Sequence, residues 1–236
     1  MKKQIQKQAT WPRILPIFAI ACFISGKVWG EIALTEEQLR QFAFATAPSA
    51  DFMSEALERP FRWQKQKLKL AVFVEGENKR ASLDSLRDDL AQDINTFQKE
   101  TGIQIVLGLW SDNNPPPDIF FLLGREEELL ARADYLRARF EEPQLPIRME
   151  EKTREAKAIC EGVVSLAEGQ TILRALILAD IKRKPNYCFR RQLMVAFGFF
   201  GDLPEGADSI LAEPNSPERI TKLDRTFLNH LYRARD

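Results

Sequence analysis

Residues 188–202 read C-F-R-R-Q-L-M-V-A-F-G-F-F-G-D, the pattern of an amphipathic helix that ends at a glycine and runs into a tight turn. Apolar residues from Leu193 to Phe200 give the helix a buried side, and Gly198 supplies the stop. A plain core helix with a glycine at its C-terminus fits the same stretch. The choice between this interpretation and a more specialised helix depends on the rest of the chain.

Composition limits the classes of protein that the chain can belong to. Its 236 residues are 44% apolar, which is enough for one sizeable core with an N-terminal extension. Residues 1–30 contain five basic and no acidic residues, so residues 31–236 hold 29 basic against 34 acidic residues, a net charge of −5. This mildly acidic body argues against a dedicated nucleic-acid binder, which needs a basic face to neutralise phosphates.

Residues 1–30 have the features of an export signal. Four basic residues come first, and residues 14–25 then form an apolar run of twelve; the basic residues are Lys2, Lys3, Lys7 and Arg13. A membrane span needs about 20 apolar residues, so the run predicts a cleaved signal with its cut near Gly30. An uncleaved anchor and lipidation at Cys22 stay as alternatives. We therefore expect a periplasmic or secreted protein, with membrane contact only through an uncleaved signal.

Cysteine use is consistent with export. Once Cys22 leaves with the signal, Cys160 and Cys188 remain, and in an oxidising compartment an even pair favours a disulfide. The alternative is two buried reduced cysteines, since sequence cannot show the distance between them.

The body, residues 61–236, has the element pattern of an α+β domain. Residues 31–60 form a helical extension, in which a helix from residue 34 is interrupted at Pro48 and a second short helix covers 51–58. Alternating or continuous apolar runs predict strands near 68–75, 103–109, 118–123, 158–166 and 174–181. Helical spacing predicts helices near 82–101, 125–140, 187–199 and 221–233. The predicted sheet is mixed, either mainly antiparallel or partly parallel.

The helix at 188–202 resembles the zinc-binding helix of a metzincin, H-E-x-x-H-x-x-G-x-x-H, with its functional residues replaced. That motif places two imidazoles on one helix face, and its glycine lets the chain turn so that a third reaches the same ion. The positions for the first His, the Glu, the second His, the glycine and the third His are Arg191, Gln192, Val195, Gly198 and Gly201, and Asp202 follows.

Downstream residues extend the resemblance over most of the body. Thr221 and Asp224 begin a pattern, T-x-x-D followed by L-x-x-L-Y, that ends at Tyr232 and is similar to the closing helix of several zincin groups. Residues 61–236 thus resemble an uncharacterised bacterial family of exported, zincin-like domains of unknown function with a degenerate zinc helix. The resemblance implies a zincin-like mixed sheet with packed helices, and cysteines at the places of Cys160 and Cys188.

The chemistry of the replaced positions argues against zinc catalysis. Zinc needs three or four N, S or O ligands, the chain has a single histidine, His230, and Arg191 and Val195 offer no ligand. Gln192 cannot act as a base, no G-x-S-x-G or phosphate loop is present, and no cofactor is expected. We therefore predict no metal and no catalytic residue of the zincin type.

The leading hypothesis is a non-catalytic domain that binds a protein, peptide or envelope component in the cleft where a peptidase holds its substrate. Arg191 and Gln192 would line that cleft and bind an anionic or amide group. One alternative is a hydrolase with an unconventional, zinc-independent site that uses Asp202, Asp224 or His230. Another alternative is a purely structural periplasmic protein without a ligand.

Overall fold

A computed structural model of the chain describes residues 34–47, 58–76, 79–109, 117–140, 149–151, 159–182, 184–212 and 217–233. The predicted signal at 1–30 lies outside these residues, as does nearly all of the second short helix predicted at 51–58. Among the described helices, none combines the length and the apolar character that crossing a membrane requires.

The described residues form a mixed α+β fold around one five-stranded sheet, and all five predicted strands are present. They are β1 (Lys67–Val74), β2 (Gln104–Leu109), β3 (Ile119–Gly124), β4 (Cys160–Ala167) and β5 (Thr171–Asp180). In space their order is β2-β1-β3-β5-β4, so β2 and β4 are the edge strands of the sheet.

The pairing of the strands is mostly parallel, so of the two expected arrangements the sheet has the partly parallel one. Strand β1 pairs in parallel with β2 and β3, and β3 pairs in parallel with β5. Only β4 and β5 pair antiparallel, through the short turn at residues 168–170. Apolar runs predict that a strand is buried but not the direction of its neighbour, so the sequence pattern could not decide between the two arrangements.

Helices cover both faces of the sheet. The described helices are α1 (Glu36–Thr46), α2 (Lys79–Thr101), α3 (Glu126–Phe140), α4 (Pro185–Ala196) and α5 (Lys222–Arg233). The larger core lies between one face of the sheet and α1, α2, α4 and α5. The smaller core packs α3 against the other face, through residues such as Leu129 and Leu136. Helix α4 therefore lies in the larger core, and in the chain it follows β5 directly.

Helix α1 begins at a capping box, as the predicted start of a helix near residue 35 requires. The hydroxyl of Thr35 accepts from the backbone N–H of Gln38, and the Gln38 side chain accepts from the N–H of Thr35. Its inner side contributes Phe42, only 1% exposed, whose ring meets those of Phe199 and Phe227 edge-on. The extension thus contributes a large aromatic side chain to the larger core.

Candidate functional site: the end of helix α4 and the edge of strand β4

Helix α4 ends just before Gly198, as the glycine in the sequence predicts. The N–H of Phe199 donates to the carbonyl of Met194 (3.1 Å), and the N–H of Gly198 donates to that of Val195 (3.0 Å). These two bonds form a Schellman motif, which needs a left-handed residue after the helix, and Gly198 has a φ of +98°. The chain therefore reverses direction immediately after the helix and brings residues 201 and 202 back toward it.

Gly201 lies in direct backbone contact with the end of α1. Its N–H donates to the carbonyl of Ala45 (3.0 Å), and a Cβ at this position would lie 2.1 Å from the carbonyl oxygen of Phe44. A Cβ at Gly198 would lie 2.3 Å from the carbonyl oxygen of Phe61. Only glycine fits at either position, because the approaching atoms belong to backbone and cannot rotate away. Both glycines therefore hold the N-terminal segment against the turn after α4.

Arg191 and Asp202 are brought together by this turn. The guanidinium of Arg191 donates through Nη2 to Oδ1 of Asp202 (2.5 Å) and through Nη1 to the carbonyl of Ile210 (2.9 Å). Only 11% of the Arg191 side chain is exposed, against 62% for Asp202. A guanidinium carries a positive charge and has no lone pair to offer, so position 191 does not fit a zinc ligand.

Asp224 continues this network on the other side of Ile210 and is fully buried. Its carboxylate accepts from the N–H groups of Ile210 (3.1 Å) and Thr221 (2.8 Å) and from the hydroxyls of Ser209 (2.5 Å) and Thr221 (2.9 Å). Burial raises the pKa of Asp224, and the hydrogen bonds from Ser209, Thr221 and Ile210 oppose that rise. The T-x-x-D pattern therefore caps the N-terminus of α5 and ties it to the loop before Ile210.

Tyr232 and Trp63 bind the last carbonyls of α4. The Tyr232 hydroxyl donates to the carbonyl of Phe197 (3.1 Å) and accepts from the N–H of Trp63 (3.3 Å). The indole N–H of Trp63 donates to the carbonyl of Ala196 (2.8 Å). Burial raises the pKa of Tyr232, which keeps the hydroxyl protonated and able to donate. The end of α4 is thus fixed by one side chain from the segment before β1 and one from α5.

Gln192 faces the edge strand β4, where a disulfide also joins strand and helix. The Sγ atoms of Cys160 and Cys188 lie 2.26 Å apart and their Cα atoms 5.5 Å apart, so the structure supports the predicted bridge. The Gln192 amide donates to the carbonyl of Cys160 (3.3 Å). A Cβ added at Gly162 would lie 2.3 Å from Oε1 of Gln192 and 3.4 Å from Cγ1 of Val195. Gln192 and Val195 therefore lie over Gly162 of the edge strand.

The backbone of β4 presents polar groups to the outer side of the sheet. The N–H of Asp180 in β5 donates to the carbonyl of Ile159 (2.9 Å), so Ile159 faces β5. Because successive residues of an antiparallel strand alternate, the N–H and C=O groups of Cys160, Gly162 and Val164 point away from β5. No strand of the described residues lies beyond β4. Of these groups, the Cys160 carbonyl already has a partner in Gln192.

A polar cluster on the neighbouring side of α4 joins it to α2. Nε of Arg190 lies 2.8 and 3.0 Å from the two carboxylate oxygens of Asp93, and Nη1 donates to the carbonyl of Glu218 (2.9 Å). Asn186 donates to Asp89, which lies one helical turn before Asp93. Burial raises the pKa of Asp93 to about 6, although Arg190 opposes the rise. This cluster orients α4 against α2.

Among the described residues, His230 and the candidate acids Asp202 and Asp224 do not form part of a metal-ligating group. His230 packs edge-on against the ring of Phe42 at a centroid distance of 4.9 Å, on the side of α5 that faces α1. Within the described ranges, no three His, Cys, Asp or Glu side chains gather closely enough to hold a metal ion. Asp202 and Asp224 are instead joined through Arg191 and Ile210.

Sequence reasoning missed three contributors to this region. Gly162 and the Ile210 carbonyl contact the candidate side chains of Gln192 and Arg191, and Trp63 donates to the backbone at the end of α4, yet none of the three was among the candidate residues. Gly162 had a signal, because a glycine inside an apolar strand often marks the close approach of another group. The role of the Ile210 carbonyl has no signal in the sequence, since it depends on backbone position alone.

No protein-family model matches the chain, and no curated protein matches it significantly.

Proposed function

We propose that the chain is an exported, non-catalytic zincin-like domain that binds an extended peptide or protein segment of the cell envelope along the edge of β4. The observation that carries the proposal is the pairing of Arg191 with Asp202. A buried guanidinium stands at the position of the first zinc ligand and bridges helix α4 to the turn after it, at 2.5 Å from Asp202. It supplies by a salt bridge the link between helix and turn that a metal ion would otherwise make.

The scaffold supports the zincin-like part of the proposal. Helix α4 follows β5 and ends in the Schellman turn that the motif requires at Gly198. The closing helix α5 contributes Asp224 and Tyr232, the residues that carried the downstream resemblance, to the loop before α5 and to the end of α4. The matched residues therefore have structural roles that hold the shape without a metal.

The edge of β4 supports the peptide-binding part. Extended peptides add to a sheet by pairing with unused N–H and C=O groups of an edge strand. Gly162 and Val164 offer such groups, and no described loop or strand donates to or accepts from them across the outer side of β4. Asp202, in the turn after α4, leaves 62% of its side chain exposed, so a peptide that extends from β4 to this turn would meet an acidic group. We therefore expect such a peptide to carry a basic residue.

Export is supported by the disulfide between Cys160 and Cys188, because disulfides persist mainly in oxidising compartments. The positive and apolar segments of residues 1–30 point in the same direction. Fractionation of the producing cells, with sequencing of the mature N-terminus, tests this part: a cytoplasmic full-length chain would contradict it.

The binding proposal is tested with a random-sequence peptide library selected on the purified protein. Replacement Val164→Pro removes an outward N–H of β4, and Leu107→Pro removes the equivalent outward group at the other edge of the sheet. In β2 the N–H of Gln104 bonds to Gln66 of the segment leading into β1, so alternation turns the N–H of Leu107 outward. We expect the first variant to lose roughly tenfold in affinity and the second to bind normally.

Circular dichroism and thermal unfolding verify that both proline variants are folded. Failure to select any binding peptide, or equal affinity in the two folded variants, would overturn the proposal. Cleavage of a selected peptide during incubation would favour the hydrolase alternative instead.

A further inference from the structure

The two sulfur atoms of the disulfide lie in different surroundings. Cys188 is 2% exposed, and its Sγ lies 3.3 Å from the carbonyl oxygen of Leu178. Cys160 lies on the edge strand β4, is partly exposed, and its Sγ lies 3.6 Å from Nε2 of Gln192. One sulfur therefore faces a hydrogen-bond acceptor inside the core, and the other, on a partly exposed residue, faces a hydrogen-bond donor.

This asymmetry decides how the bridge would react with a thiol. Exchange requires that a thiolate reach a sulfur atom, so attack at Cys160 is favoured by exposure. The amide N–H of Gln192 stabilises negative charge on the Cys160 sulfur, which helps the Cys160 thiolate to leave from the mixed disulfide in the second step of the exchange. The Leu178 carbonyl can accept the proton of a Cys188 thiol, whereas a buried thiolate there would have no described donor beside it.

We propose that Cys160–Cys188 is a reversible redox switch, opened by dithiol reductants through Cys160, and that opening weakens peptide binding at the edge of β4. The second half rests on the proposed function. The bridge is the covalent link between β4 and α4, and without it the polar link that the structure describes between them is the hydrogen bond from Gln192 to the Cys160 carbonyl, while the ladder to β5 still holds the strand. Closing the bridge fixes the edge strand in its binding position.

Reduction of the Cys160–Cys188 bridge by a dithiol takes two exchange steps. A thiolate of the reductant attacks Sγ of Cys160, a mixed disulfide forms, and the electron pair of the broken S–S bond goes to Cys188, which takes a proton from the reductant's second thiol. That second group, now a thiolate, attacks the reductant's own sulfur in the mixed disulfide and releases the Cys160 thiolate, which is then protonated from solvent. The protein gains two electrons and two protons, and the reductant becomes a disulfide.

The thiol half is tested without any peptide. Oxidised protein is incubated with glutathione, a monothiol, and the mixed disulfide is located by mass spectrometry after proteolysis; we expect it on Cys160. In single-cysteine variants, the thiol of Cys188→Ser should react with an aromatic disulfide reagent roughly tenfold faster than that of Cys160→Ser. Glutathione on Cys188, or equal rates in both variants, would overturn the proposal.

The role of Gln192 is tested by the pH dependence of the same reaction. Adding Gln192→Met to Cys188→Ser removes the donor at similar volume, so the pH midpoint of the Cys160 reaction should move upward. Gln92→Met, on the exposed side of α2, is the matched control and should leave the midpoint unchanged. An unchanged midpoint in the Gln192 variant would remove this residue from the mechanism and overturn the assignment.

The regulatory half is tested on the wild-type chain with a peptide selected as above, before and after dithiothreitol. We expect roughly tenfold weaker binding after reduction, restored on reoxidation, with helix and strand content retained by circular dichroism. Loss of that content on reduction, or unchanged affinity, would overturn the switch. If no peptide binds the oxidised protein while glutathione still marks Cys160, the proposed function fails and the exchange site stands.

Discussion

Arg191 and Asp202, eleven residues apart in the chain, meet at 2.5 Å because Gly198 reverses the chain between them. The two partners are unequally buried, and this predicts unequal effects of replacing them. Arg191→Met leaves the buried carbonyl of Ile210 without its donor and should lower the free energy of unfolding by about 2 kcal/mol. Asp202→Asn should cost less than about 1 kcal/mol, because its carboxylate is largely solvated.

Urea unfolding of the two single variants and the double variant measures this pair, and the double variant should resemble Arg191→Met alone. A larger loss in Asp202→Asn than in Arg191→Met would show that the salt bridge, rather than the bond to Ile210, holds the turn.

The contact between Gly201 and the end of α1 predicts that adding one methyl group at this position strongly destabilises the fold. In Gly201→Ala the new Cβ would lie 2.1 Å from the carbonyl oxygen of Phe44, so α1 must move, and we expect a loss of roughly 3 kcal/mol. Gly108→Ala is the control, since nothing lies within 4 Å of its Cβ position. Thermal unfolding checks both, and a normal melting temperature for Gly201→Ala would mean that α1 is not docked as described.

The stability of an Asp224 variant tests whether this acid is structural or available for catalysis. Asp224→Asn places an NH₂ group where the carboxylate accepts from four donors, so at least one buried donor loses its partner. We expect a loss of about 3 kcal/mol in stability. Chemical denaturation measures it. An Asp224→Asn protein of normal stability would restore this residue as a candidate for chemistry.

Asp93 predicts a pH dependence of stability. Its pKa rises from an ordinary 3.8 to about 6 in the folded chain, chiefly because of burial. Between these two pH values the folded state therefore binds more protons than the unfolded state. The corresponding stabilisation is complete below about pH 4 and is lost as the pH rises through about 6, by at most about 3 kcal/mol. Asp89 and Arg190 face the same carboxylate and set the size of the effect.

The measurement compares the unfolding free energies of the wild-type chain and Asp93→Asn between pH 4 and 7. The variant should gain relative to the wild type as the pH rises. A difference that is flat, or that falls with pH, would show that the ion pair with Arg190 outweighs burial.

Sequence patterns located the helices and strands well, because the apolar residues that each element buries recur at helical or strand spacing. Strand β5 was the ambiguous case, since its apolar run fits a helix or a strand; residues 175–180 are all buried, as in a strand covered on both faces. The helix stop at Gly198 was readable because only glycine takes its left-handed backbone at low cost.

The partners within the site were much less readable. Sequence placed Arg191 and Asp202 in one motif, but nothing in it showed that they pair with each other, because the pairing depends on where the turn directs the chain. The parallel pairing of β1 with β3 was likewise hidden, since apolar strands look alike in either direction. Predictions from local pattern therefore succeeded within elements, and between elements the disulfide was predicted while these pairings were not.

The bond between Trp63 and Tyr232 spans 169 residues, and Phe42 is enclosed by side chains from residues 199–230. The first helix can therefore reach its final place only after the last one exists. Such distant pairings slow folding, because a long loop must close before they form. A ribosome or a translocation channel that still holds α5 would keep this core incomplete and leave the aromatic side chain of Phe42 in α1 without its partners on α5.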